Sequence, residues 1–170
     1  DQFRETLQSD PGERFRPEFT TNRLAEICLA GDDPPSESAA DPAWGSCGLL
    51  TDDACPVYDA RPFACRCMVS AARCAEGGAA EMTPLIVTVN TVFMQTVEHL
   101  DADGFSGNLA DLLAFLADPD HRRGHRANRP DPLPPGLIPN RPAPILMVPP
   151  EHRDGVRPWL EALHRLPPRE

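Results

Sequence analysis

Apolar residues recur at helical spacing along two stretches in the middle of the chain. In the first, they follow one another at short helical intervals over a length too great for a strand. Its members are Leu85, Ile86, Val89, Val92, Phe93, Val97 and Leu100. Thr83 is a good N-cap and Pro84 suits the first helical position. A second stripe, opened by Asn108, comprises Leu109, Leu112, Leu113 and Leu116. The two stripes predict a helical hairpin over residues 83–118.

Two shorter helices are predicted on either side of this hairpin. Thr20 or Thr21 can cap a helix that reaches Ala30 and ends at Gly31. The residues expected on its buried face are Leu24, Ile27 and Cys28. A further helix is predicted over residues 154–166. Its inward-facing residues would be Val156, Trp159, Leu160 and Leu163.

The rest of the chain has no regular period. Residues 31–46 are rich in proline, acidic and small residues, as loops are. The thiol-rich stretch over residues 47–74 shows neither a helical nor a strand pattern. Between residues 130 and 150 lie nine prolines, which predict an extended, polyproline-like run. Within that run, residues 145–148 form an apolar patch that we expect to dock on the helices.

We therefore expect a mainly α fold in a single domain, residues 1–170. Residues 20–80 would form an irregular cysteine-rich metal-binding region. The helical hairpin would follow at residues 83–118. A proline-rich, extended C-terminal segment with a terminal helix would occupy residues 119–170.

Charge limits the classes of partner. The chain carries a formal net charge of −10, which repels phosphate backbones and anionic lipid head groups. We therefore expect no nucleic-acid partner and no membrane partner. No stretch approaches the ~18 apolar residues that cross a bilayer, and no basic segment followed by an apolar run opens the chain. A cytoplasmic location is predicted, while a protein partner and the oligomeric state stay open.

The six cysteines are the main candidates for chemistry. They are Cys28, Cys47, Cys55, Cys65, Cys67 and Cys74, and four of them lie within residues 47–67. Their even number permits disulfides, although a chain of this length can build a core without them. Burial as small apolar residues suits Cys28 but does not explain a cluster in a loop. A catalytic thiol would need one cysteine and a nearby base, and every histidine lies at His99 or beyond.

Metal binding explains the cluster best. Thiolates are soft ligands that favour zinc, iron and iron–sulfur clusters. Four of them complete a tetrahedral zinc site or hold a 4Fe-4S cubane. A metal can also fix an irregular loop, because its binding energy becomes folding energy. Arg61 and Arg66 would offset the charge of the thiolates.

The sequence CGLLTDDACPVYDARPFACR, residues 47–66, resembles the signature of the YkgJ-type cysteine-cluster proteins, described as zinc- or iron-chelating domains. The positions that match are Cys47, Leu50, Cys55, Val57, Tyr58, Arg61, Pro62, Cys65 and Arg66. Gly48 stands where the family has proline, and Cys28 alone stands where the family has an upstream group of cysteines.

The resemblance implies that Cys47, Cys55 and Cys65 are metal ligands. The fourth ligand has to be chosen among Cys28, Cys67 and Cys74. A C-x-C pair chelates one ion only with an awkward bend, which disfavours Cys67. Cys74 is much closer in sequence than Cys28, so we predict Cys74 as the fourth ligand and keep Cys28 in reserve.

The predicted function is a metal-binding protein that holds a zinc ion or an iron–sulfur cluster, in a structural or redox role. No reaction and no catalytic residue are assigned. One alternative is an enzyme whose site lies beside the metal loop and uses Tyr58, Arg61 and Arg66. Another is an interaction module whose partner recognises the proline-rich tail.

Two other motifs predict little chemistry. The sequence DADGFSGNLADL, residues 101–112, fails as a calcium loop because Leu112 replaces the bidentate glutamate. His121 and His125 lie in an arginine-rich stretch that we expect to be a solvated loop. An anion site is the alternative there, with Arg122, Arg123 and Arg126 as its cations.

Overall fold

The computed structural model describes residues 15–35, 54–67, 82–127 and 132–165. These residues contain six α-helices and one two-stranded sheet. The predicted mainly α class is confirmed. None of the helices in these ranges is long and apolar enough to cross a membrane.

Helix α1, Thr21–Ala30, begins and ends where the sequence predicts. The Thr20 hydroxyl accepts from the Arg23 amide at 3.2 Å, and Gly31 ends the helix in the left-handed region with φ 84°. The predicted buried face is wrong, however. Asn22 and Ala25 are the buried residues, whereas Cys28 is exposed. The cause is the polar network described below, which selects the face carrying Asn22.

Helix α2 is a single turn, Phe63–Arg66, preceded by a 3-10 turn at Tyr58–Ala60. The central helix α3, Pro84–Leu100, is capped by Thr83 as predicted, and it packs against α1 and against the last helix. Its most buried residues are Thr88, Val92, Gln95 and Glu98. Of the apolar stripe only Val92 is among them, and the other three are polar, while Leu85, Ile86, Val97 and Leu100 are exposed.

The two helices predicted as a hairpin are present, but a strand lies between them. Strand β1, Phe105–Gly107, precedes helix α4, Leu109–Ala117. β1 pairs antiparallel with β2, Leu137–Pro139, and Ser106 lies opposite Ile138. Helix α4 packs against β1 and against the next helix.

Helix α5, Pro119–Arg126, replaces the solvated loop predicted there. The reason is aromatic packing. The His121 ring stacks on Phe115 with centroids 4.1 Å apart, and the His125 ring meets Phe105 edge-on at 5.2 Å. The two imidazoles are therefore part of a small aromatic cluster.

Helix α6, Arg153–His164, follows a 3-10 turn at Pro150–His152. Val156 is buried against the rest of the fold as predicted. Trp159, predicted to face inward, is 50% exposed. Its ring and that of Phe93 pack edge-to-face, with centroids 6.1 Å apart. Helix α6 packs against α3.

Residues 140–152, which we call the strap, run along α3 in the opposite direction. The Arg141 amide donates to Glu98 Oε1 at 2.9 Å, and the Met147 amide donates to Gln95 Oε1 at 2.8 Å. A hydrogen bond of 2.7 Å joins Thr88 and His152 at the far end. The buried polar face of α3 thus binds the backbone of this proline-rich segment.

Candidate metal centre

The predicted ligands fall into three groups in the structure. Cys55 and Cys65 are half-buried thiols on one short stretch, residues 54–67, which we call the cysteine segment. Cys28, the reserve ligand, is exposed near the C-terminal end of α1. Cys47 and Cys74 lie outside the described residues.

The cysteine segment is a series of tight turns. The carbonyl of Cys55 accepts from the Tyr58 amide at 3.2 Å, which starts the 3-10 turn. Pro62 opens α2, and its carbonyl accepts from the Cys65 amide at 3.1 Å. Proline fixes its own φ near the helical value, so this start is favoured locally. Cys55 therefore precedes the first of two consecutive turns, and Cys65 lies within the second.

Two arginines close the segment on itself. Arg66 donates from Nε to the Arg61 carbonyl at 2.8 Å and from Nη2 to the Asp59 carbonyl at 2.7 Å. Arg61 donates to the Tyr58 carbonyl at 3.1 Å, and its guanidinium lies 3.7 Å from the centroid of the Tyr58 ring. These arginines satisfy backbone carbonyls that have no helix or sheet to pair with.

Two contacts fasten the segment to α3. The Phe63 ring stacks on Phe93, with centroids 5.4 Å apart. The side-chain amide of Asn90 donates to the Cys67 carbonyl at 2.9 Å. Asn90 and Phe93 are three residues apart, so they lie on the same side of α3.

The thiols of the segment influence one another. Burial raises the pKa of the Cys67 thiol, and the neighbouring Cys65 raises it further, because two thiolates repel each other. The Cys67 thiol also donates to the Ala64 carbonyl at 3.2 Å. The charge of Cys65 thus affects the Cys67 thiol, whose side chain points to the backbone of the preceding helical turn.

The described residues do not complete a metal site by themselves. Within them, no three histidine, cysteine or carboxylate side chains lie close enough together to hold an ion. His121 and His125 are used for ring packing. Cys55 and Cys65 are thiols of the kind that zinc and iron bind.

Sequence reasoning missed Asn90. Within α3 it interrupts a run rich in β-branched residues, LIVTVNTVF. Asparagine is a poor residue for a helix interior because its side chain competes for backbone hydrogen bonds. Such a residue signals a tertiary contact, although it does not reveal the partner.

Comparison with known proteins finds no matching family model, no matching curated protein and no matching solved structure.

Proposed function

We propose that this protein binds a zinc ion or an iron–sulfur cluster through Cys47, Cys55, Cys65 and Cys74, in a structural or redox role. The observation that carries the proposal is the character of the cysteine segment. It has a defined series of turns, yet no residue from 54 to 67 is buried. A segment without an apolar core needs another source of cohesion, and a metal supplies it.

The donor set fits the group. Cys55 and Cys65 are half-buried thiols: Cys55 precedes the 3-10 turn and Cys65 lies in the helical turn that follows it, so they do not share one helix. Arg61 and Arg66 lie in the same segment, where both guanidinium groups donate to backbone carbonyls and hold the turns that carry the thiols.

Cys67 is a weaker ligand candidate than Cys74. The Cys67 thiol donates to the Ala64 carbonyl, and the Cys67 carbonyl accepts from Asn90. To join Cys65 on one ion, Cys67 would have to give up both hydrogen bonds. Cys28 lies on α1, a separate helix, where it is exposed. We therefore keep Cys74 as the fourth ligand of the proposal.

The metal decides what chemistry the site offers. Four thiolates fill the coordination shell of zinc, so a zinc site would be structural. A cubane cluster held by the same thiolates would carry one electron and would give the segment a redox role. The chain's contribution is the same in both cases: it supplies the sulfurs and the turns that orient them.

Protein purified without oxygen and analysed for zinc, iron and sulfide tests the proposal. An iron–sulfur protein is brown with absorbance near about 400 nm, whereas a zinc protein is colourless and releases one equivalent of zinc when its thiols are modified. Each proposed ligand is then changed to serine, one at a time. We expect a loss of metal for the changes at Cys47, Cys55, Cys65 and Cys74.

Two matched variants sharpen the ligand assignment. Cys67→Ser and Cys28→Ser remove a thiol from the same segment and from α1, and we expect both to keep the metal. Loss of metal in Cys28→Ser with retention in Cys74→Ser would move the fourth ligand to α1. Wild-type protein without metal, in which all six thiols react, would overturn the proposal.

A further inference from the structure

We infer that Asn90 is a positioning residue for the cysteine segment: its amide holds the Cys67 carbonyl and thereby fixes the helical turn that carries Cys65. The inference deepens the proposed function, since Cys65 is one of the proposed ligands. It rests on the contacts that Asn90 and Phe93 make with the cysteine segment.

The turn that carries Cys65 is held at both ends by one side of α3. At its start, Phe63 stacks on Phe93 with ring centroids 5.4 Å apart. At its end, Asn90 Nδ2 donates to the Cys67 carbonyl at 2.9 Å. Because α2 is only one turn long, two fixed ends leave Cys65 little freedom.

The two contacts are not equivalent. A ring stack is tolerant of sliding, since offset arrangements of two aromatic rings have similar energies. A hydrogen bond from an amide to a carbonyl is directional and weakens steeply away from linearity. Asn90 is therefore the contact that sets the position of the turn along α3, while Phe63 supplies the apolar attachment.

Asn90 also contacts Met82, which lies just before α3 in the chain. The same Nδ2 lies 3.6 Å from Met82 Sδ. Cys67 and Met82 border residues 68–81, so one side chain bonds the chain where that stretch begins and where it ends. A single side-chain amide thus contacts both Cys67 and Met82.

Asn90 has no role in capping that would explain its presence. It lies in the interior of α3, well past the Thr83 cap and well before Leu100. Alanine at this position would be better for the helix itself. The variant Asn90→Ala should therefore fold with α3 intact, so that any loosening of the cysteine segment occurs beside a more stable helix.

The first measurement uses the metal-free protein. Alkylation of each cysteine by iodoacetamide is followed by mass spectrometry in wild type, Asn90→Ala and the matched control Thr91→Ala. Thr91 donates only within α3, to the Val87 carbonyl at 3.0 Å. We expect Cys65 and Cys67 to react about fivefold to tenfold faster in Asn90→Ala, with Cys28 unchanged as an internal reference.

The second measurement is cobalt and zinc binding by competition with a chelator, together with the thiolate-to-cobalt absorption bands. Supporting groups behind metal ligands are typically worth about 10- to 100-fold in affinity. We expect about tenfold weaker binding and altered bands in Asn90→Ala, and wild-type behaviour in Thr91→Ala. Asn90→Asp, which keeps the shape but loses the donor, should behave like Asn90→Ala.

The outcomes separate the two ideas. Wild type that binds no metal, combined with faster alkylation in Asn90→Ala, rejects the proposed function and supports the positioning role. Wild type that binds metal, combined with unchanged alkylation and affinity in both Asn90 variants, overturns the positioning role alone. A general rise in reactivity that includes Cys28 would mean global destabilisation, and would also reject it.

Discussion

Two irregular segments lie against α3, and the helix holds them in different ways. The strap is bound by buried side chains, among them Gln95, which has no exposed surface, and Glu98 at 6% exposure. The cysteine segment is attached through one ring stack and one amide, and it contains no buried residue. Irregular backbone is stable where its polar groups are paired, and the strap meets that condition within the fold.

Gln95 shows how the strap is recognised. Its amide donates to the Ile145 carbonyl and accepts from the Met147 amide, both at 2.8 Å. One side chain thus satisfies a donor and an acceptor of an extended backbone, as a neighbouring β-strand would. Because the prolines around Ile145 lack backbone N–H groups, few donors in the strap need a partner. Side chains of a helix can therefore pair this backbone, as a neighbouring strand would in a sheet.

The comparison also explains why we assign an inorganic group to one segment only. The strap is already held by hydrogen bonds with buried side chains of α3. The cysteine segment has satisfied carbonyls, through Arg61 and Arg66, but it lacks burial. Metal ligation would provide in one place what the strap obtains from several buried hydrogen bonds.

The largest effect is expected from Glu98, which joins three elements. Its carboxylate accepts hydrogen bonds from the backbone amide of Asn22 in α1, at 2.8 Å, and from the backbone amide of Arg141 in the strap, at 2.9 Å. Glu98→Leu would leave both amides without their acceptor, and each buried orphan costs about 1–3 kcal/mol. We expect a loss of about 3 kcal/mol in the free energy of unfolding, measured with urea. The control Glu151→Ala, at an exposed position, should change it by less than about 0.5 kcal/mol.

Gln95→Leu tests whether one amide holds the middle of the strap. The apolar side chain keeps the volume but removes the bonds to Ile145 and Met147 and a third one to Asn22 Oδ1, so we expect a loss of about 2 kcal/mol or more, and exchange at Met147 isolates the strap's share. Hydrogen exchange at the Met147 amide should lose most of its protection. Unchanged exchange at Met147 would show that the prolines, and not Gln95, keep the strap in place.

Removal of the metal should affect the cysteine segment and the strap differently. If the proposed function is correct, chelation lowers the hydrogen-exchange protection of the Cys65 and Cys67 amides by about tenfold or more, because binding energy is folding energy there. The Met147 amide should keep its protection in the same sample. Equal loss at Met147 would mean that the metal supports the whole fold and that the distinction between the segments is wrong.

The smallest effect is expected at Glu26. A hydrogen bond from Arg23 lowers the pKa of this carboxyl, with the charge of Arg141 in the strap contributing to the shift. A lowered folded-state pKa stabilises the fold above the unfolded value and the gain is lost as the pH falls through the folded value. Glu26→Gln should cost less than about 1 kcal/mol at pH 7, because the ion pairs are partly exposed. The difference from wild type should vanish near pH 2 in urea unfolding, and persistence there would exclude the ion pairs as its cause.

Much of the helical fold could be predicted because the signals are local. Thr20, Thr83 and Asn108 each accept the amide that a cap should accept, and Gly31 ends α1 in the left-handed region. Capping needs only the neighbouring residues, so the sequence pattern contains it. For the candidate metal centre, the resemblance and the clustering still carry the ligand set, since Cys47 and Cys74 lie outside the described residues.

Strand β1 was not predicted because a tertiary pairing decides it. Helix α5 was missed although Asp118 caps it and Pro119 lies at its first position, which are local signals; its packing, by contrast, depends on tertiary contacts. His121 and His125 are polar in any sequence pattern, and their stacking on Phe115 and Phe105 exists only after the chain has folded. β1 is three residues long and is defined by its pairing with β2, about thirty residues away. A pattern of short range cannot contain such a pairing.

The sequence by itself determined that α3 forms, where it begins, and that four of the six cysteines lie within residues 47–67. Only the tertiary structure decided which face of α3 is inside. Hydrophobic periodicity selected the apolar stripe, whereas the folded protein buries only Val92 of that stripe completely, together with Thr88, Gln95 and Glu98. The reason is that the strap approaches with unpaired backbone groups, and a buried peptide group requires a polar partner more strongly than an exposed leucine requires burial.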